Sequence, residues 1–313
     1  MLRDVLRVIE QPSLRLVPLR ERTCFDDYLP QGFWDLRMPD SLRGLWAERT
    51  RALLGKLEGR GLNPLDRVLG TVPEKAGPAP IEFVHRRIDA DRTAALVDAC
   101  RARDNTVLSA LVVACAYGLL GVDGGAAKGL VGCITPIDIR ALLEPTVGDD
   151  FGIYAWAPTS YHPIAPGADF WRLAARMRRI MRVYRSMPAL AGMRRFLDLV
   201  ELTEGTPVAG GMEKLSRALL DGMMVVSNLG RVAVPEKVAG VEVESFGFFA
   251  MIPNVDFVLG VQSYRGVLEM NYCCSPRWRR ASVIEKVADR VEAVLEAASG
   301  GRVGAGAQGL VYG

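Results

Sequence analysis

The sequence predicts an α/β fold, and three observations carry that reading. From residue 81 onward, strand-like and helix-like apolar patterns succeed one another along the chain. Half of the 313 residues are apolar, enough for a substantial core. The run 107–122 is apolar on every side but short of a bilayer span and interrupted by Ser109 and Gly118, so it predicts a buried helix.

The elements follow in order. Residues 1–9 have helical spacing, with Leu2, Val5, Leu6 and Ile9 on one face. Residues 11–39 are irregular, broken by Pro12, Pro18, Pro30 and Pro39. Residues 41–57 keep a helical period through Leu42, Leu45, Trp46, Arg49 and Leu53. The Gly- and Pro-rich stretch 59–80 reads as a linker. Residues 81–88 predict a strand, Asp89-Ala90-Asp91 an N-cap, and a helix runs to about Arg103. Asp104-Asn105-Thr106 forms a loop and cap before the apolar helix. Asp169 caps a helix with Phe170, Leu173, Ala174, Met177, Ile180, Met181 and Tyr184 inward. Its other face, Arg172, Arg176, Arg179 and Arg182, is either solvated or meets an anionic partner. Helices are predicted over 190–202 and 212–220. A strand over 223–226 ends in Ser227-Asn228-Leu229-Gly230. Residues 241–249 alternate as a strand, and strands 257–263 and 267–273 flank a hairpin at Tyr264-Arg265-Gly266. A helix over 282–298 closes the fold, and the Gly-rich residues 299–313 predict a disordered tail.

Composition excludes several functions. The net charge of +3 gives no electrostatic case for nucleic acid. The six cysteines are scattered without a CxxC pair and read as small buried hydrophobes of a reducing compartment. No Cys/His spacing suits zinc or another metal. The start shows charge at once and no apolar leader, which predicts a cytoplasmic protein without a membrane span. No GxSxG, P-loop or GxGxxG motif is present, and only His85 and His162 are available for imidazole chemistry.

The stretch 129–160 looks most like a site. An apolar run ends in Pro136-Ile137-Asp138-Ile139-Arg140, a polar loop follows, and Asp150-Phe151-Gly152 opens a second apolar run. Loops at strand ends carry function more often than the strands do. Taken together, the PIDIR strand end, the Asp-Phe-Gly corner, the Trp-bearing DFWRLA helix, the SNLG strand end, the paired long strands and the final helix show a familiar order. That order resembles the second half of the chloramphenicol acetyltransferase-like, CoA-dependent acyltransferase superfamily, which includes condensation domains, alcohol acetyltransferases and polyketide-associated acyltransferases. PIDIR and SNLG are most similar to the last two groups, and the resemblance covers residues 1–298.

The resemblance implies the C-terminal lobe of a two-lobed fold, a mixed sheet flanked by helices, with a helical remnant of the first lobe. The implied division is a remnant and linker over 1–75, the acyltransferase-like lobe over 76–298 and the tail over 299–313. The implied reaction moves an acyl group from a CoA or acyl-carrier-protein thioester to a hydroxyl or amine, with no bound cofactor. The family's base is the second His of HHxxxDG, and this chain has no such motif, so no catalytic residue is expected in it. An upstream lobe or a partner chain is expected to supply one, along with an apolar face for it to cover. The alternative is a non-catalytic, truncated lobe that binds a carrier protein or a partner chain.

Five residues are implied to meet the substrate: Arg140, Asp150, Gly152, Ser227 and Asn228. Arg140 matches the family's Arg that pairs with the Asp of HHxxxDG. Here it is expected to turn to Asp138 or Glu144, or to stand exposed in a loop. Asp150 and Gly152 match a structural corner, with Ile153-Tyr154 where plant relatives have Trp-Gly. Ser227 and Asn228 either donate to a thioester oxyanion or cap their own turn.

Overall fold

The computed structural model describes residues 7–11, 13–15, 28–57, 82–121, 128–145, 147, 152–201, 223–250, 255, 257–274 and 281–300. The expected linker, the expected helix over 212–220 and the tail beyond residue 300 lie outside them.

One mixed sheet organises the lobe. It is built from β1 (Glu82–Ile88), β2 (Gly129–Ile134), β5 (Thr159–Ile164), β6 (Met223–Arg231), β9 (Phe257–Tyr264) and β10 (Val267–Cys274), in the order β1-β10-β9-β6-β2-β5. The middle trio β9, β6 and β2 is parallel, and the flanking pairings are antiparallel. Two short ladders stand outside it. β3 (Ile137–Asp138) pairs with β4 (Ala155–Trp156), and β7 (Lys237–Val238) with β8 (Val241–Glu242). The hairpin between β9 and β10 turns on Arg265 (φ 51°) and Gly266 (φ 81°), the double left-handed pair that matches strand twist.

Helices cover one face. They are α1 (Asp40–Leu57), α2 (Ala90–Ala102), α3 (Val107–Leu120), α4 (Phe170–Tyr184), α5 (Met187–Glu201) and α6 (Ala281–Ala298). The caps are those the sequence predicts. The side chains of Asp89, Thr106 and Asp169 accept from the backbone N–H of Arg92, Ser109 and Arg172. Helix α3 is buried from Leu108 to Leu119, packed against α6, α4 and the sheet. Helix α1 joins the same core through Leu42, and Glu48 takes the Arg176 guanidinium in two bonds of 2.8 and 2.9 Å. Arg176 therefore ties two helices, while Arg172, Arg179 and Arg182 remain exposed. All five described cysteines are buried.

At Gly118 α3 packs closely on α6. A Cβ there would stand 2.8 Å from Val291 Cγ2 and 3.2 Å from the backbone oxygen of Val287. Alanine gains about 1 kcal/mol of helix propensity over glycine, but overpacking costs about 1–3 kcal/mol when backbone must move. Gly118→Ala is expected to lower the urea midpoint, with partial recovery on adding Val291→Ala. An alanine variant as stable as the parent would contradict so tight a crossing.

The opposite face, helix-free among the described residues, carries a smaller apolar cluster: Ile134, Tyr161, Met223, Val225, Val255, Val258 and Cys273. Two expectations are corrected on this side. The strand expected to stop at Val226 runs through Ser227, Asn228, Leu229 and Gly230 to Arg231. Its ladder with β9 continues past the motif, which is absorbed as a register shift between Asn228 and Arg231. The alternating segment 241–249 is a strand only over Val241–Glu242. From 243 to 250 the chain has no regular structure and crosses over the sheet face as a strap. Its alternation comes from that crossing rather than from lateral pairing.

Candidate functional site

The PIDIR strand end and the residues after the Asp-Phe-Gly corner meet at the β3–β4 ladder. Ile137 pairs with Trp156 and Asp138 with Ala155, and Ile139 N–H donates to the Tyr154 carbonyl at 2.9 Å. Arg140 begins a single 3₁₀ turn there. Asp138 holds it twice: Oδ1 accepts the Arg140 backbone N–H at 2.9 Å, and Oδ2 accepts from a guanidinium nitrogen at 3.2 Å. The guanidinium also lies 5.0 Å above the Tyr154 ring centroid, and its Nε is buried without a hydrogen-bond partner among the described residues. Of the two carboxylates weighed for Arg140, Asp138 is the one engaged.

Gly152 lies under the same ring. A Cβ on it would come within 2.7 Å of Tyr154 Cε2, so only glycine lets the aromatic ring close the corner. Arg140 and Gly152 are thus joined through Tyr154. Asp150 is outside the described residues. Asn228 Oδ1 accepts the Gly230 N–H at 2.8 Å, and Gly230 sits at φ 71°, a local side-chain turn.

Ser227 has a different setting, given by the register. It stands opposite Gly260, which stands opposite Asn271, which stands opposite His85. Cross-strand partners share a face, so Ser227, Asn271 and His85 line one row of the helix-free face. Three strand spacings, about 14 Å, separate its two ends. The next row holds Gln262, Glu269 and Arg87. Glu269 is 1% exposed and lies between two basic partners: His85 Nε2 at 2.9 Å and Arg87 Nε at 3.2 Å. His85 Nδ1 is 2.7 Å from Asn271 Oδ1. Both ring nitrogens of His85 are therefore occupied.

His162 belongs to the other face. It is buried among the helices, with Nε2 2.8 Å from Ser160 Oγ. Burial, and then the nearby Arg176 charge, push its pKa down to about 3. It is a neutral core residue.

Gln262, Glu269 and Asn271 escape a reading of the sequence. They fall on the polar phase of two alternating strands, which by itself predicts a solvated face. The signal lies in combination: three polar residues share that phase with His85 and Arg87, across a pairing that local pattern does not announce. Among the described residues no group of His, Cys, Asp or Glu is placed to hold a metal ion, and no helix is long and apolar enough to cross a membrane.

Comparisons with known proteins agree with this architecture. The chain is similar in fold to the nonribosomal peptide synthetase FmoA3, at 19% identity and a TM-score of 0.57 over 95% of this chain and 30% of that one. It is similar to the EpoB cyclization-docking bidomain of Sorangium cellulosum, at 13% identity and a TM-score of 0.56 over 96% of this chain and 56% of that one. It is also similar to polyketide synthase associated protein 5 of Mycobacterium tuberculosis, at 14% identity and a TM-score of 0.51 over 78% of this chain and 62% of that one. The chain thus spans between 30% and 62% of these three solved chains. No curated protein matches it by sequence. The model of the phthiocerol/phthiodiolone dimycocerosyl transferase C-terminus matches residues 77–270, which takes in the whole sheet up to β10. With the sheet order, the PIDIR corner and the SNLG strand all inside that span, the chain belongs to the phthiocerol/phthiodiolone dimycocerosyl transferase C-terminal family, an acyltransferase-type family.

Proposed function

We propose that this chain works as the C-terminal lobe of an acyltransferase that moves an acyl group from a CoA or carrier-protein thioester to a hydroxyl or amine. The proton acceptor comes from an N-terminal lobe outside this chain. The observation that carries this reading is the state of the two histidines. A general base must reach the proton it takes. His162 is buried against Ser160, and both nitrogens of His85 are engaged by Asn271 and Glu269. The chain has no third histidine. In this reading Arg140, Asp150 and Gly152 shape the edge that meets the thioester, and Ser227 and Asn228, within β6, stand beside it.

One observation favours the second reading, a non-catalytic lobe that binds a carrier protein or partner chain. Arg140 already has a carboxylate in Asp138, so it does not depend on one from another lobe.

The purified chain, mixed with an acyl-CoA and an alcohol or amine acceptor, is expected to release no free thiol above background. Adding a lobe that carries HHxxxDG is expected to start turnover, and its failure to do so would favour the non-catalytic reading. Turnover by the chain alone that persists in the His85→Ala, His162→Ala double variant would overturn the imidazole mechanism. Coding DNA upstream that encodes HHxxxDG would support the enzyme, and unrelated sequence there would support the binding lobe.

A further inference from the structure

The polar rows of the helix-free face hold three buried polar side chains, two of which keep an unpaired atom. Gln262, Glu269 and Asn271 are 0%, 1% and 0% exposed. Among the described residues Gln262 Oε1 and Asn271 Nδ2 have no hydrogen-bond partner, while Glu269 Oε2 lies 2.9 Å from His85 Nε2. Folded proteins pair nearly all such atoms, because an unpaired one forfeits its hydration. Two free groups side by side, one acceptor and one donor, make a recess with a definite complement.

A strap rather than a layer covers this recess. Residues 246–250 lie over it without regular secondary structure. The Phe246 carbonyl accepts from Gln262 Nε2. Gly247 is so close that a Cβ on it would stand 3.6 Å from Asn271 Nδ2 and 3.7 Å from Gln262 Nε2. The Phe248 ring rests on Gly260, 3.0 Å from where a Cβ would be, and Phe249 meets Phe83 edge to face at 5.0 Å. Phe83 and Phe249 are each 50% exposed, so the mouth of the recess is aromatic.

We propose that the strap is a lid over a ligand site, and that the site takes a carboxamide with a free N–H on an apolar body. Gln262 Oε1 accepts the ligand N–H, and Asn271 Nδ2 donates to its carbonyl oxygen. A neutral head fits because the Glu269 charge is already met by Arg87. The apolar body lies along Phe83 and Phe249, beside the row formed by Cys273 and Val258. The strap's own peptide groups fill the place when the lid is down. The site stands apart from the acyl-transfer reading and does not depend on it.

Octanamide and N,N-dimethyloctanamide are the probes, titrated calorimetrically into the full chain. Octanamide is expected to bind at least about tenfold tighter, since the dimethyl analogue offers Gln262 Oε1 no proton. Asn271→Leu and Gln262→Leu are each expected to weaken octanamide about tenfold, and octanamide is expected to slow amide exchange over 246–250. The two-ligand comparison needs no variant, so it stands if a substitution unfolds the protein. Absence of octanamide binding, equal affinity for both amides, folded variants that bind like the parent, or unchanged exchange in the strap would each overturn the site.

Discussion

Leu111→Ala is expected to lower stability by about 2–5 kcal/mol, the range for emptying a leucine site in a close-packed core. Leu111 is 0% exposed near the middle of α3, a helix buried on all sides. The site cannot collapse easily, because α6 and α4 grip the helix and the close approach at Gly118 fixes the crossing. The cost should fall toward the upper half of the range. Urea unfolding followed by circular dichroism gives it directly. A loss below about 1 kcal/mol would mean that α3 is wetted or loosely held.

The second large effect is acid lability at His162. The imidazole is neutral in the fold, with its pKa pushed from an ordinary 6.5 down to about 3, first by burial and then by Arg176. The unfolded chain binds a proton there below pH 6.5 while the folded chain does not. Stability is therefore full above that pH and falls as pH drops from 6.5 toward 3. At pH 4.5, two units into this window, the loss from this one group is about 2–3 kcal/mol. Urea unfolding of the parent and of His162→Gln at pH 7 and pH 4.5 isolates it. The parent should lose about that much more than the variant, whose amide can still meet Ser160 without titrating. Parallel losses would show that His162 is protonated within the fold.

Whatever rests on neighbours in sequence is legible before the structure. The caps at Asp89, Thr106 and Asp169 each serve a backbone N–H three residues on. The Asp138 grip on Arg140 spans two residues, and the Arg265-Gly266 turn needs only its own backbone. The candidate site rests on distant neighbours instead. Ser227, Asn271 and His85 share a row only because β6, β9, β10 and β1 lie side by side, and no periodicity encodes that order. The strap misleads for the same reason. Residues 243–250 alternate like a strand, but a strand is defined by its partner, and these residues lie across the sheet instead of beside it. Gln262 and Asn271 look solvent-facing until the strap is laid over them.

The position of β1 has a consequence for how the protein is made. This strand's place in the sheet exists only once β10 has been synthesised, as the sequence separation of 186 between His85 and Asn271 shows. At about 5–20 residues per second, it waits roughly ten to forty seconds with its edge open. The sheet closes from its far end backward, and β1 stays unmatched while the five strands that follow it in the sheet are made.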